Sequence, residues 1–436
     1  MQRTVFRAAN LLDGDSEPRS GTSLVIEGNR VAAIGPDEAI EASPEDRVCD
    51  LAGRTLMPGM VQSHFHSCFS DWGAQAPQLG LERPAPLMTL VARQNMETAL
   101  AHGFTSVVCS SSAYYIDREL ARAQLMDLYE GPRILPGSHE LMVPGVEGDA
   151  ESENWYMGLT NHGMVESVSG VPEIERMVRR EVQRGAEIVK IAASGGHTLG
   201  NAHDIETPTD AEIECAARAA HGLGKKIRAH AASRRAVMLC AKNRFDIIDH
   251  ADRLDEACIE AMLAGGSTLV PSMLYSARFL AMVDELSAAG ESFQWRSSYL
   301  RSEEEYARRT REAHEDFENI SRMLPIANEA GVPIGVGDDF GVAFIPHGDY
   351  IAEFELYVKQ IGIPPLDVLR WATKHGAALM GYGDELGTLR EGHLADLLVV
   401  DGDPLADIRC LGDTANLLAI VKDGEFVKDE LGALAH

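Results

Sequence analysis

The stretch TLMPGMVQSHFH, residues 55–66, sets two histidines one residue apart at the end of a short apolar run. Side chains at i and i+2 of a strand share a face, so His64 and His66 project together while Phe65 packs behind them. An H-x-H pair alone is more often solvated or packed than metal-binding, so its meaning depends on what the rest of the chain brings beside it. From Arg54 onward, short β-branched or apolar runs alternate with amphipathic helical stretches, the βαβα pattern of a parallel sheet. The further runs are TSVVCS, RILPGSH, EIVKIAAS, KIRAHAA, FDIIDHA, STLVPSM and VPIGVGDD. Eight strands with intervening helices over roughly 330 residues predict an α/β fold, a (β/α)8 TIM barrel enlarged by insertions.

Both chain ends read differently. The first fifty residues are short strands with a hairpin turn at Gly28-Asn29, and strands return after Gly383 in ADLLVV and NLLAIVKDGEFV. Residues 1–56 and 384–436 are therefore expected to pair into one small β-sandwich domain beside a barrel of residues 57–383. Two connections are long: Glu140–Val171, and the charged, mostly helical Ser276–Ala330. Long loops after barrel strands act as lids or build subunit contacts.

The chain has 436 residues and a formal charge of −28, which argues against a nucleic-acid partner because phosphate backbones are bound by basic surfaces. Its 7 cysteines are scattered without a C-x-x-C pair, as in a reducing compartment. Cys68 follows the histidine pair and reads as a small buried thiol. The N-terminal stretch lacks a signal peptide's apolar core, and no run approaches the ~20 apolar residues of a membrane span. A cytoplasmic protein acting on a small molecule, without membrane partner, is expected.

Polar residues stand where the barrel strands end. Lys190 is a lone cation inside EIVKIAAS, where an unpaired ammonium is costly, so it must be paired, neutral or chemically altered. His230 and His250 end the fifth and sixth strands, and Asp338-Asp339 the eighth. The carboxyl ends of the strands form the face on which such barrels build their sites.

These pieces carry a resemblance over nearly the whole chain. TLMPGMVQSHFH, RGAEIVKIAASGG, IRAHA, IIDHAD, LVPSMLY, GVPIGVGDDFG and ATKHGAALMGYGDELGTLREGHLADLLVVDGDP resemble the metal-dependent amidohydrolase superfamily, in the imidazolonepropionase-related branch that includes Xaa-Pro dipeptidases. The resemblance implies a hydrolase of carbon–nitrogen bonds with two divalent ions, zinc first. His64 and His66 hold one ion with Asp339, and His230 and His250 hold the other. Lys190, as a CO2-derived carbamate, bridges both, since an ammonium would repel the two cations it touches. Asp339 is favoured over Asp338, which falls on a threonine of the family pattern and faces the other way. A hydroxide shared by the ions attacks, Asp339 moves its proton to the departing amine, and Tyr275 donates to the oxyanion. A homo-oligomer is also implied.

The implied reaction is hydrolysis of an amide or peptide-like C–N bond in a small molecule, of the Xaa-Pro dipeptide or N-acyl amino acid type. The competing reading is an aryl urea, carbamate or thiocarbamate hydrolase with the same site, mononuclear if Lys190 does not bridge. Deaminases of the superfamily place a glutamate three residues after the fifth-strand histidine; here Ser233 stands there, which counts against deamination. An inactive assembly protein would have lost ligands, yet all six positions are filled. The chain departs from many dipeptidase-like relatives at Gln62, where they often carry aspartate, and at Ala232, where they repeat histidine. His139, His162, His197, Arg234 and His347 are candidate substrate contacts.

Overall fold

A computed structural model describes residues 3–70, 83–145, 163–197, 202–290, 302–342 and 344–431. The opening stretch divides at Gly59. Thr55–Pro58 pairs with Leu397–Val400 and with Thr4–Leu11, whereas Met60–Phe65 pairs in parallel with Phe104–Cys109. The single strand expected there is therefore two, and the break passes the chain from one sheet to another. Glycine is required at the crossing, because a Cβ on Gly59 would meet the Thr105 side chain at 2.6 Å.

The two chain ends meet in one mixed eight-stranded sheet. Its order is Glu425–Asp429, Leu417–Lys422, Leu397–Val400, Thr55–Pro58, Thr4–Leu11, Arg19–Glu27 and Arg30–Pro36, with Arg47–Asp50 also on Thr4–Leu11. Glu27 pairs with Arg30 across the Gly28-Asn29 hairpin. Phe6, Leu24, Leu397 and Val399 bury a core of their own on this sheet. Among the described residues these strands are hydrogen-bonded into one sheet, which curls over its own core so that Phe426 of its end strand packs on Phe6, ring centroids 6.1 Å apart, and Asp429 pairs with Arg47.

The middle of the chain carries parallel strands. A six-stranded sheet runs Val165–Ser167, Gly137–Met142, Ile188–Ala192, Lys226–Ala231, Ile247–His250 and Thr268–Val270; a three-stranded one runs Met60–Phe65, Phe104–Cys109 and Arg133–Leu135. Pro136, which cannot donate to a ladder, separates Arg133–Leu135 from Gly137–Met142, so one run of chain serves both sheets. On the far side, Leu269 N donates to Pro333 O, Gly335 N to Leu269 O, and Ser63 N to Val336 O. The expected eighth strand is thus a set of bridges to both sheets. Pro333 lacks a donor and Gly337 has φ +142°, so a regular ladder is interrupted there. Residues 188–192 are buried throughout, as parallel strands covered on both faces are.

Helices begin on the cues written in the sequence. Thr209 and Glu212 form a reciprocal capping box for Asp210–Gly222, and Ser233 and Asp255 cap Arg234–Lys242 and Glu256–Gly265. Among the described residues, the long charged connection carries the helices Met273–Ala288 and Glu303–Glu329. None of the described helices is long and apolar enough to cross a membrane.

Candidate metal centre

Strand alternation sends His64 and His66 to one side of Met60–Phe65, and the 333–339 segment brings Asp339 against them. Nε2 of His64 and Nε2 of His66 lie 3.2 Å apart, and each is 3.1 Å from Oδ1 of Asp339. Both imidazoles are buried. Asp338 turns away: its Oδ2 accepts from Tyr275 N at 3.0 Å and its Oδ1 from Asp339 N at 2.7 Å. The Gly337 amide in turn donates to the buried Glu353, 3.0 Å away.

A second convergence shares Asp339. Ligand atoms of His197, His250 and Asp339 lie within 4.8 Å of one another. His230 stands beside His250, with ring centroids 4.5 Å apart, while His197 stacks on His250 at 3.7 Å. His197 was expected as a substrate contact; the structure seats it among the histidines, with its Nδ1 3.1 Å from Oδ1 of Asp252. That carboxylate lies 55 residues further along the chain.

Lys190 points to the same side, in register with Glu140 on one neighbouring strand and Arg228 on the other. Its Nζ donates to Oδ2 of Asp249 at 2.9 Å and to Ser110 Oγ at 3.0 Å. Arg228 grips the same carboxylate through Nε and Nη2. The sequence did not single out Asp249, Arg228 or Glu140. One signal was available: a cation inside an apolar strand needs a nearby acid, and FDIIDHA, two strands away in the same sheet, offers one.

Electrostatics favour added cations here. Burial lowers the pKa of His66 to about 4 and of His230 to about 3, and holds His250 well below its usual value. Neutral imidazoles keep a lone pair for a metal. For Asp339, burial pushes upward, but His64 and His66 hold it well below the usual carboxylate range. Burial and the Asp339 charge push Asp338 up to about 6, and burial raises Glu140. Nδ1 of buried His250 has no hydrogen-bond partner among the described residues. Donors held ~2.1 Å from one ion at tetrahedral angles stand ~3.4 Å apart, close to the spacing of His64, His66 and Asp339. The residues fit divalent ions.

The remaining candidates lie elsewhere. His139 faces the opposite way from Glu140 and is bound to Glu181, Nδ1 to Oε2 2.9 Å, against the edge of Tyr115. Arg234 is exposed and paired with Asp255. His347 packs on Phe65, behind the histidine pair, with Nδ1 3.1 Å from Tyr350 Oη. Tyr275, buried in the first turn of its helix, lies 5.7 Å from His197, ring centre to ring centre. His162 lies outside the described residues.

A histidine–aspartate cluster that could hold divalent ions stands over the ends of the parallel strands, and residues 55–427 match the Amidohydrolase family. The chain belongs to that family and is a hydrolase of carbon–nitrogen bonds. Among curated proteins it is 26% identical to an ochratoxinase of Aspergillus niger, over 98% of this chain and 86% of that one. Among solved structures it is similar to an Xaa-Pro dipeptidase with methionine bound in the active site (26% identity, TM-score 0.81, 98% and 100% of the two chains). A prolidase complexed with N-methylphosphonate-L-proline is similar at 25% identity and TM-score 0.80, over 98% and 100%.

Proposed function

We propose that this chain hydrolyses an amide or peptide-like C–N bond of a small molecule, of the Xaa-Pro dipeptide or N-acyl amino acid type. The observation that carries the reading is the convergence of His64 Nε2, His66 Nε2 and Asp339 Oδ1, each 3.1–3.2 Å from the other two. In this reading His64, His66 and Asp339 would hold one divalent ion and His230 and His250 a second, with Lys190, as a carbamate, a ligand to both. Zinc suits the imidazole and carboxylate donors. Bound there, the ions supply an acidified water and polarise the carbonyl under attack.

The chain's own groups do the rest. Asp339, kept ionised by its two histidines, accepts the proton of the attacking water and delivers it to the departing nitrogen. Asp338 anchors the backbone of both Asp339 and Tyr275, which positions the proton carrier against the start of the Met273–Ala288 helix. Tyr275 donates its phenol to the oxygen that gains charge. When the Lys190 amine loses its charge to CO2, Arg228 keeps Asp249 compensated, so the change leaves no unpaired carboxylate behind. The two parallel sheets, linked through residues 333–336, form the wall of a (β/α)8 barrel, with the terminal sheet as a separate small domain. A cytoplasmic homo-oligomer is the working form; the free state of all seven cysteines supports a reducing compartment.

The support for the substrate class is that two similar structures are an Xaa-Pro dipeptidase and a prolidase. A panel of Xaa-Pro dipeptides, N-acyl amino acids and aryl ureas, offered to zinc-loaded protein, tests it. Cleavage of a dipeptide or N-acyl amino acid is expected. Turnover of ureas or carbamates alone would replace the proposed substrate class.

A further inference from the structure

We infer that His197, oriented by Asp252, is a third imidazole ligand at the second metal position, beside His250 and His230. The inference rests on the two-ion reading above and adds a ligand that the family resemblance does not supply.

Four observations converge on it. The ligand atoms that gather with His250 and Asp339 within 4.8 Å belong to His197. Its other nitrogen is held by a carboxylate, Nδ1 to Asp252 Oδ1 at 3.1 Å, and both partners are buried. That is how metal-binding histidines are usually fixed: one ring nitrogen donates to a carboxylate, which sets the tautomer and leaves the other lone pair for the ion. In that tautomer Nε2 carries the lone pair.

The backbone supplies the third. His197 and His250 both adopt left-handed conformations, φ +55° and +69°. Such conformations are strained for a residue with a side chain and persist where the surroundings over-determine them. Here the two strained residues stack ring on ring, at 3.7 Å and 22°. An imidazole lone pair lies in the ring plane, so the rings open from this stack when both bind one ion.

Finally, the His197 loop fits only over a small residue. A Cβ on Gly196 would stand 2.6 Å from the Cβ of Ala232. Ala232 is the position at which the sequence departs from the repeated histidine of its relatives. An alanine there leaves room for the loop that brings His197 in. One imidazole is absent from the fifth strand, and another arrives from the loop after the fourth.

The test is metal binding by the full-length chain. Chelator-stripped wild type, H197A and D252N are titrated with Zn2+ and with Co2+ in the presence of bicarbonate, and bound metal is counted by mass spectrometry. Circular dichroism and thermal melting check folding. Wild type is expected to take up two ions. H197A should keep the first and bind the second more weakly by more than the ~10–100-fold that losing an outer partner costs; D252N should fall within that range. The visible bands of the second cobalt should shift in H197A. Two ions at wild-type affinity and an unchanged cobalt spectrum in folded H197A would overturn the inference while leaving the two-ion reading intact. A single ion in wild type, not raised by metal and bicarbonate, would sink that reading and this inference with it. If H197A is misfolded, D252N decides: wild-type affinity for the second ion would overturn the inference.

Discussion

Oδ2 of Asp249 lies 2.9 Å from Nζ of Lys190, and the same carboxylate holds the guanidinium of Arg228. All three residues are buried. Burial pushes the Asp249 pKa upward, but Arg228 and then Lys190 keep it well below the usual carboxylate range. Two buried cations thus share one carboxylate immediately beneath the histidine cluster, with Glu140 a further buried acid turned toward Lys190. This explains how the chain tolerates a lysine in an apolar strand before any metal or CO2 arrives.

Asp249→Asn preserves the shape and removes the charge. It strips the ionic partner from Arg228 and Lys190 together, and breaking a buried pair in this way costs ~3–5 kcal/mol. Chemical denaturation of the metal-free protein measures it. A loss below ~1 kcal/mol, the range of exposed pairs, would mean that the two cations find other compensation.

The legible part of the site is local. H-x-H obeys strand alternation, and His230 and His250 each close a recognisable apolar run, so their placement needed no knowledge of distant contacts. Asp252 and His197 were opaque as a pair because 55 residues separate them and neither sits in a regular strand. His139 was misleading for a related reason. It ends a run as the others do, but alternation turns it toward Glu181 on the covering helix and turns Glu140 toward Lys190. Pro58-Gly59 marks a break in the sequence, but the apolar pattern continues through it and reads as one strand; the close approach of Thr105 shows why the strand must divide there.

His66 gives the metal-free protein a pH dependence with a definite sign. Burial lowers its pKa from 6.5 to about 4. Between those values the unfolded chain binds a proton that the folded chain does not, so stability rises with pH and is lost as pH falls through the window. The shift corresponds to roughly 3 kcal/mol at its acid end. Other buried groups titrate in the same range, so the comparison is with His66→Asn, which has no such proton to take up. Wild type should lose stability relative to this variant as the pH is lowered from 6.5 to about 4. Denaturation curves of both proteins, stripped of metal, measure the difference. A gap that stays constant across the window would show that His66 protonates in the folded state as it does in the unfolded one.

Asp338 and Asp339 are neighbours with separate tasks, and their asparagine variants should part company. Asp339 touches both histidines, so Asp339→Asn removes an anionic metal donor and the proposed proton carrier at once. A fall of ~10²–10⁴ in kcat is expected from the proton transfer alone. Bound metal should fall too. Asp338 accepts from two backbone amides, and an asparagine oxygen can still take one of them. Burial and the Asp339 charge raise its pKa to about 6, so the folded protein gains little from that charge and its loss costs the fold little. Asp338→Asn should therefore keep both ions and most of kcat, with its main effect on KM through the loosened start of the Tyr275 helix. Measuring kcat, KM and metal content on both variants separates the roles. If Asp338→Asn silenced the enzyme while Asp339→Asn kept most of its rate, the proton carrier would be Asp338, and the second aspartate would only tie the loop to the histidines.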